Sequence, residues 1–325
     1  MAENEIKKIA VLTSGGDAPG MNATIRAVVR TATYRGIKVV GVRKGFSGLI
    51  HGEIEDLSPR SVSDTIHRGG TILLTARCPE MMTKEGQDKA ATLCNILGLD
   101  ALIVIGGDGS LTGALELSKR GVNIIGIPAT IDLDLCCSDY TIGFDTAVNT
   151  GMDAINKIRD TSTSHERCSI VEVMGRNAGY LALWCSVAGG AEDVLIPEDK
   201  TGDINRVINL ILENRSKGKK HNLIIVAEGI GGSVAMAKEI ERVTGITTRA
   251  TILGYLQRGG APTATDRMHA SVMGYNAIEC LAAGEKNRII IYKDGKHSSV
   301  DLEEGLNTQK DYDPSMYNMV KILSI

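Results

Sequence analysis

Short apolar runs without polar alternation recur along the whole chain, each followed by a stretch with helical spacing. They read KKIAVLT (7–13), KVVGVR (38–43), ALIVIGG (101–107), NIIGIP (123–128), CSIVEVMG (168–175), DVLIPE (193–198), NLIIVAEG (222–229) and TRATILGY (248–255). Strands this rich in Val and Ile are buried on both faces, which happens when helices cover both sides of a parallel sheet. Helices are expected over 22–36, 110–121, 145–166 and 203–217, the last with Ile204, Val207, Ile208, Ile211 and Leu212 on one stripe. Gly36, Gly121 and Gly245 stand where helices should end. Repeated βα units predict an α/β protein with two doubly wound, Rossmann-like sheets, the long helix from Asp145 making the crossover.

Composition narrows the function classes. The 325 residues carry a net charge of −3 with both signs interspersed, which argues against nucleic-acid binding, and the 3% aromatic content offers no base-stacking platform. No apolar run approaches the ~20 residues of a membrane span, and the opening MAENEIKK lacks a secretory signal's apolar stretch. A soluble cytoplasmic protein is expected. Seven cysteines occur without a CxxC, so reduced core thiols are expected, and the adjacent Cys136 and Cys137 have no neighbours to complete a metal site.

In open α/β sheets, ligands bind beyond the carboxyl ends of the strands. Four such loops carry unusual residues. TSGGDAPGMN (13–22) and IGGDGSLTG (105–113) each lead from a strand into a helix, offering bare backbone amides to a phosphate. Asp108 within the second suits Mg²⁺, which takes one or two carboxylates together with phosphate oxygens; a helix-capping Asp is the alternative. PATIDLDL (128–135) sets Asp132 and Asp134 two residues apart, one fit for a general base and the other for metal support, unless both are simply solvated. MGRNAG (174–179) adds Arg176, and Arg77, Arg167, Arg249 and Arg258 stand near other strand ends. Arginine's planar fork suits phosphate, so an anionic substrate is expected.

These loops, in this order, resemble bacterial ATP-dependent 6-phosphofructokinases. The matching stretches are VLTSGGDAPGMNATIR (11–26), HRGGTILLTARCPE (67–80), IGGDGS (105–110), SDYTIGFDTA (138–147), IRDTSTSHER (158–167), VEVMGRNAGYLALW (171–184), KGKKHNLIIVAEG (217–229) and RATILGYLQRGGAPTATDR (249–267). The resemblance runs colinearly from about residue 6 to 300. It implies the phosphofructokinase fold, with an ATP-binding domain over 1–142 plus about 257–306 and a fructose 6-phosphate-binding domain over 143–256 plus about 307–325. The implied reaction is transfer of the γ-phosphoryl of ATP to the 1-hydroxyl of fructose 6-phosphate.

Carried over residue by residue, Gly16, Arg77, Cys78, Gly107, Asp108, Gly109 and Ser110 would contact ATP, with Mg²⁺ on Asp108. Thr130, Ile131 and Asp132 would face the sugar, Asp132 as the base. Met174, Gly175, Arg176, Glu228, Tyr255, Leu256, Gln257 and Arg258 would hold the sugar phosphate, and Arg167 and Arg249 would reach it from a neighbouring subunit. The resemblance implies a homotetramer with an effector site for ADP or phosphoenolpyruvate at Arg26, Arg30, Arg159, Gly190, Glu192, Lys217, Lys219 and His221. Gly109 and Ala129 favour ATP, because pyrophosphate-using relatives usually carry Asp and Lys there.

Four positions depart from the family pattern. Ala129 and Leu133 replace Gly and Asn in PGTIDND, Tyr255 replaces a His, and Pro59 stands where some members have Arg, with Arg60 beside it. Leu133 and Tyr255 keep two other readings open: a weakly active regulatory homologue that binds sugar phosphate, and a kinase with an altered donor or acceptor.

Overall fold

The computed structural model describes residues 6–199, 203–309 and 313–324, so the opening MAENE lies outside the described residues. The chain divides into two compact units. One holds Met1–Thr130, Asp134–Thr146 and Arg258–Lys310; the other holds Ile131–Leu133, Ala147–Gln257 and Asp311–Ile325.

The first unit is built on seven strands: β1 (Lys8–Thr13), β2 (Lys38–Val42), β3 (Ile54–Leu57), β4 (Ala101–Gly106), β5 (Ile124–Pro128), β10 (Arg288–Lys293) and β11 (Lys296–Asp301). Their spatial order is β11-β10-β5-β4-β1-β2-β3. The five central strands run parallel, and β3 and β11 close the edges antiparallel. Every residue of β4 is buried, as expected for a strand covered on both faces. Leu12, Leu102, Val104, Phe46, Leu49, Leu111 and Leu117 pack one face. On the other, helices Met21–Tyr34 and Ala264–Ala282 approach closely, and Gly274 makes room because a Cβ there would lie 2.7 Å from the Ala27 methyl.

The second unit has β6 (Cys168–Val173), β7 (Asp193–Leu195), β8 (Asn222–Ala227) and β9 (Thr248–Ile252), all parallel, in the order β7-β8-β6-β9. Ile170, Leu195, Val207, Ile211, Ile224, Val226 and Ile240 form its core. The expected helices appear at Met21–Tyr34, Asp108–Ser118, Phe144–His165 and Ile204–Ser216, each within three residues of the sequence bounds. Leu212 is a correction: it is 41% exposed, and the buried stripe runs through Val207, Ile208, Ile211 and Asn214 instead. Asn214 turns inward because its side-chain amide donates to Asn222 Oδ1 at 2.8 Å.

Three strands escape the sequence reading. β3 is a half-buried IEDL and β11 is the polar KHSSVD, both edge strands without an apolar run. β10 pairs with β11 through a tight turn at Asp294 and Gly295, both at positive φ (50° and 77°), the geometry of a hairpin turn. All seven cysteines are free thiols; burial pushes Cys168 and Cys185 up to about 12, so both stay protonated and inert. Among the described residues no helix is long and apolar enough to cross a membrane.

A knot of rings joins β10, β11 and helix Ala264–Ala282 in the first unit. Tyr140 stacks on His269 with centroids 4.0 Å apart, and His269 Nδ1 lies 3.0 Å from His297 Nε2. Burial, reinforced by His297 and opposed by Asp145, lowers His269 from 6.5 to about 4. The unfolded chain therefore takes up a proton near pH 6.5 that the folded chain refuses until about pH 4, so stability falls as pH drops across that window. We expect the melting temperature of the wild type to fall more steeply from pH 7 to 4.5 than that of His269→Gln. Parallel curves would remove His269 as the cause.

Candidate functional site

In the first unit β1 lies between β2 and β4, and the order of connection reverses there: from β1 the chain steps out to β2, whereas β4 and β5 continue on the other side. That reversal is where loops at strand ends splay apart and leave room for a ligand. The two glycine-rich loops are the ones that follow β1 and β4. Ser14 N donates to Ile105 O at 3.0 Å, tying the first loop to the end of β4, and Thr75 Oγ1 donates to Gly15 O at 2.7 Å, tying it to the segment before the turn Pro79–Met82. The spacing of the two loops needs glycine. A Cβ on Gly106 would lie 2.6 Å from Ser14 O and 2.7 Å from Ser110 Oγ.

Asp108 is the first residue of helix Asp108–Ser118, with Gly107 as the residue before it, and its side chain is exposed. It is not the cap residue of its own helix, since Gly107 occupies that position. Gly109 faces open space. The donor set is thus one exposed carboxylate at a glycine-rich helix start, and among the described residues no three His, Cys, Asp or Glu gather into a cage. That fits Mg²⁺ bound jointly by a carboxylate and phosphates. Arg77 is exposed and Cys78 half-buried at the start of the turn Pro79–Met82. Burial raises the Cys78 thiol, keeping it uncharged.

Arg258 belongs to this unit and reaches Gly16. A Cβ on Gly16 would sit 1.7 Å from a guanidinium nitrogen of Arg258, so the residue read as an ATP contact also makes room for the arginine read as a sugar-phosphate contact. Thr130 closes this side: its O accepts from Thr141 Oγ1 at 2.7 Å, and its side chain faces Gly107. Ala129 is buried and its N donates to Gly106 O at 2.9 Å, so the methyl that replaces a glycine is accommodated.

The second unit gathers a different set at the carboxyl ends of β6, β8 and β9. Glu228 N donates to Val173 O at 2.8 Å, and the Glu228 carboxylate accepts from Arg176 N at 2.7 Å. Gly175 and Arg176 both adopt positive φ, 131° and 54°. Arg176 holds that strained conformation because Glu228 fixes its amide. Met174 N donates to Gln257 Oε1 at 2.8 Å, and Gln257 is fully buried, whereas Tyr255 and Leu256 are 80% and 70% exposed. Asp132 is 5% exposed, with Oδ2 3.8 Å from Arg176 Nε. Met174, Gly175, Arg176, Glu228, Gln257 and Asp132 therefore form one cluster.

Arg167 and Arg249 do not join it. Arg167 precedes β6, and Arg249 pairs in register with Ser169 near the start of β6. Both stand at the amino ends of the strands, a strand's length of roughly 20 Å from the cluster. Arg249 bonds Glu241 Oε2 at 3.0 Å. Of the residues read as an effector site, the second unit joins Arg159 to the carbonyls of Gly189 and Gly190, and Lys219 Nζ to buried Glu192 Oε1 at 2.9 Å. Lys217 instead pairs with Glu213 at 2.8 Å, and His221 is half-buried. Arg26 and Arg30 stand on helix Met21–Tyr34 of the first unit, and Pro59 and Arg60 are exposed there.

Gly229 is missing from the sequence reading. A Cβ on it would lie 2.3 Å from the Arg176 carbonyl, so only glycine lets the Arg176 turn sit where it does. The signal was present as the second residue of the EG pair after β8, masked by the more conspicuous Glu228.

Leu133 follows Asp132 at φ 55°, the left-handed region that costs a branched L-residue roughly 1–2 kcal/mol and suits Asn. Leu133→Asn relieves that strain and restores a polar side chain, but leaves Asp132 and Arg176 untouched. We expect turnover to change less than about tenfold, the scale of one hydrogen bond. A switch from no activity to full activity would mean the wild type is a non-catalytic sugar-phosphate binder.

The family model for phosphofructokinase matches residues 8–281. An ATP-dependent 6-phosphofructokinase of Clostridium botulinum (strain Hall) is 56% identical over 98% of this chain and 100% of its own length. The counterpart from Clostridium acetobutylicum is 57% identical over the same shares. Among solved structures, phosphofructokinase from Saccharomyces cerevisiae superposes with a TM-score of 0.84 at 34% identity, covering 92% of this chain; this chain spans 44% of that larger one. Shared sequence over nearly the whole length and a shared fold agree with the loop chemistry: the chain belongs to the phosphofructokinase family.

Proposed function

We propose that the protein transfers the γ-phosphoryl group of ATP to the 1-hydroxyl of D-fructose 6-phosphate, giving fructose 1,6-bisphosphate and ADP. The observation that carries this reading is Asp132, a buried carboxylate beside Arg176 on the segment that follows the glycine-rich unit's β5. Identity to curated ATP-dependent 6-phosphofructokinases supports the choice of donor and acceptor.

Phosphoryl transfer asks for positioning and charge neutralisation more than for covalent help. In this reading the loops of the first unit hold ATP, through Gly16, Arg77, Cys78, the amides of Gly107 and Gly109, and Ser110. Asp108 holds Mg²⁺, which when bound neutralises phosphate charge. The second unit holds the sugar phosphate through Met174, Gly175, Arg176 and Glu228, joined by Arg258, with Thr130 and Ile131 against the sugar. Asp132 accepts the hydroxyl proton as the 1-oxygen bonds to the γ-phosphorus. The bond from that phosphorus to the bridging oxygen breaks, and the electron pair leaves on ADP. The proton on Asp132 then passes to solvent. A coupled assay with fructose 6-phosphate and ATP, GTP or pyrophosphate tests the assignment. Robust turnover with ATP is expected; turnover with pyrophosphate alone overturns the donor, and none with any donor overturns the enzyme.

The remote placement of Arg167 and Arg249 supports a site completed by a neighbouring subunit, in a cytoplasmic homotetramer with an ADP or phosphoenolpyruvate site that uses Glu192 and Lys219. Arg167→Ala and Arg249→Ala should each weaken fructose 6-phosphate use far more than ATP use. Mixing inactive Asp132→Asn subunits with Arg167→Ala subunits should recover activity in hybrid oligomers. Failure to recover places each site within one chain.

A further inference from the structure

Asp266 is wholly buried in the first turn of helix Ala264–Ala282, and four donors converge on its carboxylate. Oδ1 accepts from Tyr140 Oη at 2.5 Å and Gly143 N at 2.7 Å; Oδ2 accepts from Thr146 N at 2.8 Å and Thr146 Oγ1 at 2.5 Å. The Thr146 hydroxyl relays the grip, accepting from Thr263 N at 3.0 Å, while Thr263 Oγ1 donates to Asp145 Oδ2 at 2.5 Å. Tyr140 is itself aimed by its stack on His269.

These bonds have a particular place along the chain. Thr146 is the last residue before the chain leaves the first unit, and Arg258 is the first after it returns. One carboxylate thus fixes the departing end directly and, through the Thr146 hydroxyl, fixes Thr263, five residues beyond Arg258. Between them the loop presses on Gly69, where a Cβ would lie 2.3 Å from the Gly260 carbonyl. Arg258 therefore begins a short loop pinned at Gly69 and at Thr263, and its guanidinium is seated against Gly16.

We propose that Asp266, acting through Thr146, is a positioning residue that sets Arg258 for the sugar phosphate; this rests on the reading of Arg258 as a phosphate contact. The carboxylate is needed because all four partners are used as donors. In Asp266→Asn the amide nitrogen displaces one acceptor, and neither the Gly143 nor the Thr146 N–H can turn round to accept. Thr146→Val is milder: it keeps the shape, and the Thr146 N–H stays on Asp266, but the link to Thr263 is cut.

Steady-state kinetics and amide hydrogen exchange on Thr146→Val, Thr146→Ser and Asp266→Asn test the idea in the full-length protein. Thr146→Val should raise the KM for fructose 6-phosphate about tenfold, the scale of one lost hydrogen bond, and leave the KM for ATP within about twofold. Thr146→Ser, which restores the hydroxyl, should return it to the wild-type value. Asp266→Asn should exceed Thr146→Val. A lower melting temperature with an unchanged KM for the sugar means the network is structural only and overturns the proposal. Exchange decides independently of substrate: the amides of Gly259, Gly260, Ala261 and Thr263 should exchange faster in Thr146→Val and normally in Thr146→Ser, and unchanged exchange overturns the proposal. A wild type that does not phosphorylate fructose 6-phosphate sinks the functional reading instead, and the exchange result still judges the positioning network.

Discussion

Asp132→Asn should lower kcat by roughly 10²–10⁴-fold, the usual contribution of a general base, while fructose 6-phosphate still binds. The substitution is nearly isosteric, and the amide keeps an oxygen that can accept a hydrogen bond from the sugar. What it lacks is the capacity to take the hydroxyl proton as the oxygen attacks phosphorus. Because Asp132 is 5% exposed, bulk water is poorly placed to replace it as the proton acceptor. Arg176 Nε, 3.8 Å away, remains to attract the phosphate and the developing charge, so ground-state binding should survive. The measurement is kcat by coupled assay beside a calorimetric Kd for fructose 6-phosphate. A folded variant with kcat within fivefold of wild type removes the base assignment. A parallel loss of sugar binding would make Asp132 a binding group instead.

Most strands buried on both faces were plain in the sequence: ALIVIG has no polar residue and NLIIVA has only Asn222 before the loop begins, and the structure buries every position of both. Edge strands gave no such signal: β11 reads KHSSVD because one side meets water and needs no apolar partner. Phosphate-type loops were legible from glycine density beside an Asp. The sheet order that puts the β1 and β4 loops together was not, since it follows from long-range pairing. Arg176 was legible as a phosphate-type side chain, but its left-handed backbone and the Glu228 clamp were not, because an arginine at positive φ is chosen by its surroundings rather than by propensity. Nothing in the sequence marks Asp266 within the stretch 249–267. Only the convergence of residues 120 and more positions away in sequence reveals it as a hub.

Gly229→Ala should cost about 10²-fold in kcat/KM for fructose 6-phosphate, because an ångström of misplacement in a phosphate-positioning group has that scale of effect. The added methyl carbon would lie 2.3 Å from the Arg176 carbonyl and 2.9 Å from Pro197 Cγ. The first clash is with backbone, so no rotamer change relieves it. Either the 228–229 turn or the 175–176 turn must move. Both turns are joined by the Arg176 N to Glu228 bond at 2.7 Å, so a shift in one stretches the bond that holds Arg176 in its left-handed conformation. Arg176 then relaxes toward ordinary φ and swings its guanidinium away from Asp132. None of the residues read as ATP contacts lies in the 175–176 or 228–229 turns, so the KM for ATP should stay within about threefold, a spread below the ~1 kcal/mol of one hydrogen bond. Gly229→Ser makes the same clash and should match Gly229→Ala. If both variants keep wild-type sugar kinetics, the turn yields without moving Arg176, and the close approach at Gly229 has no bearing on the site.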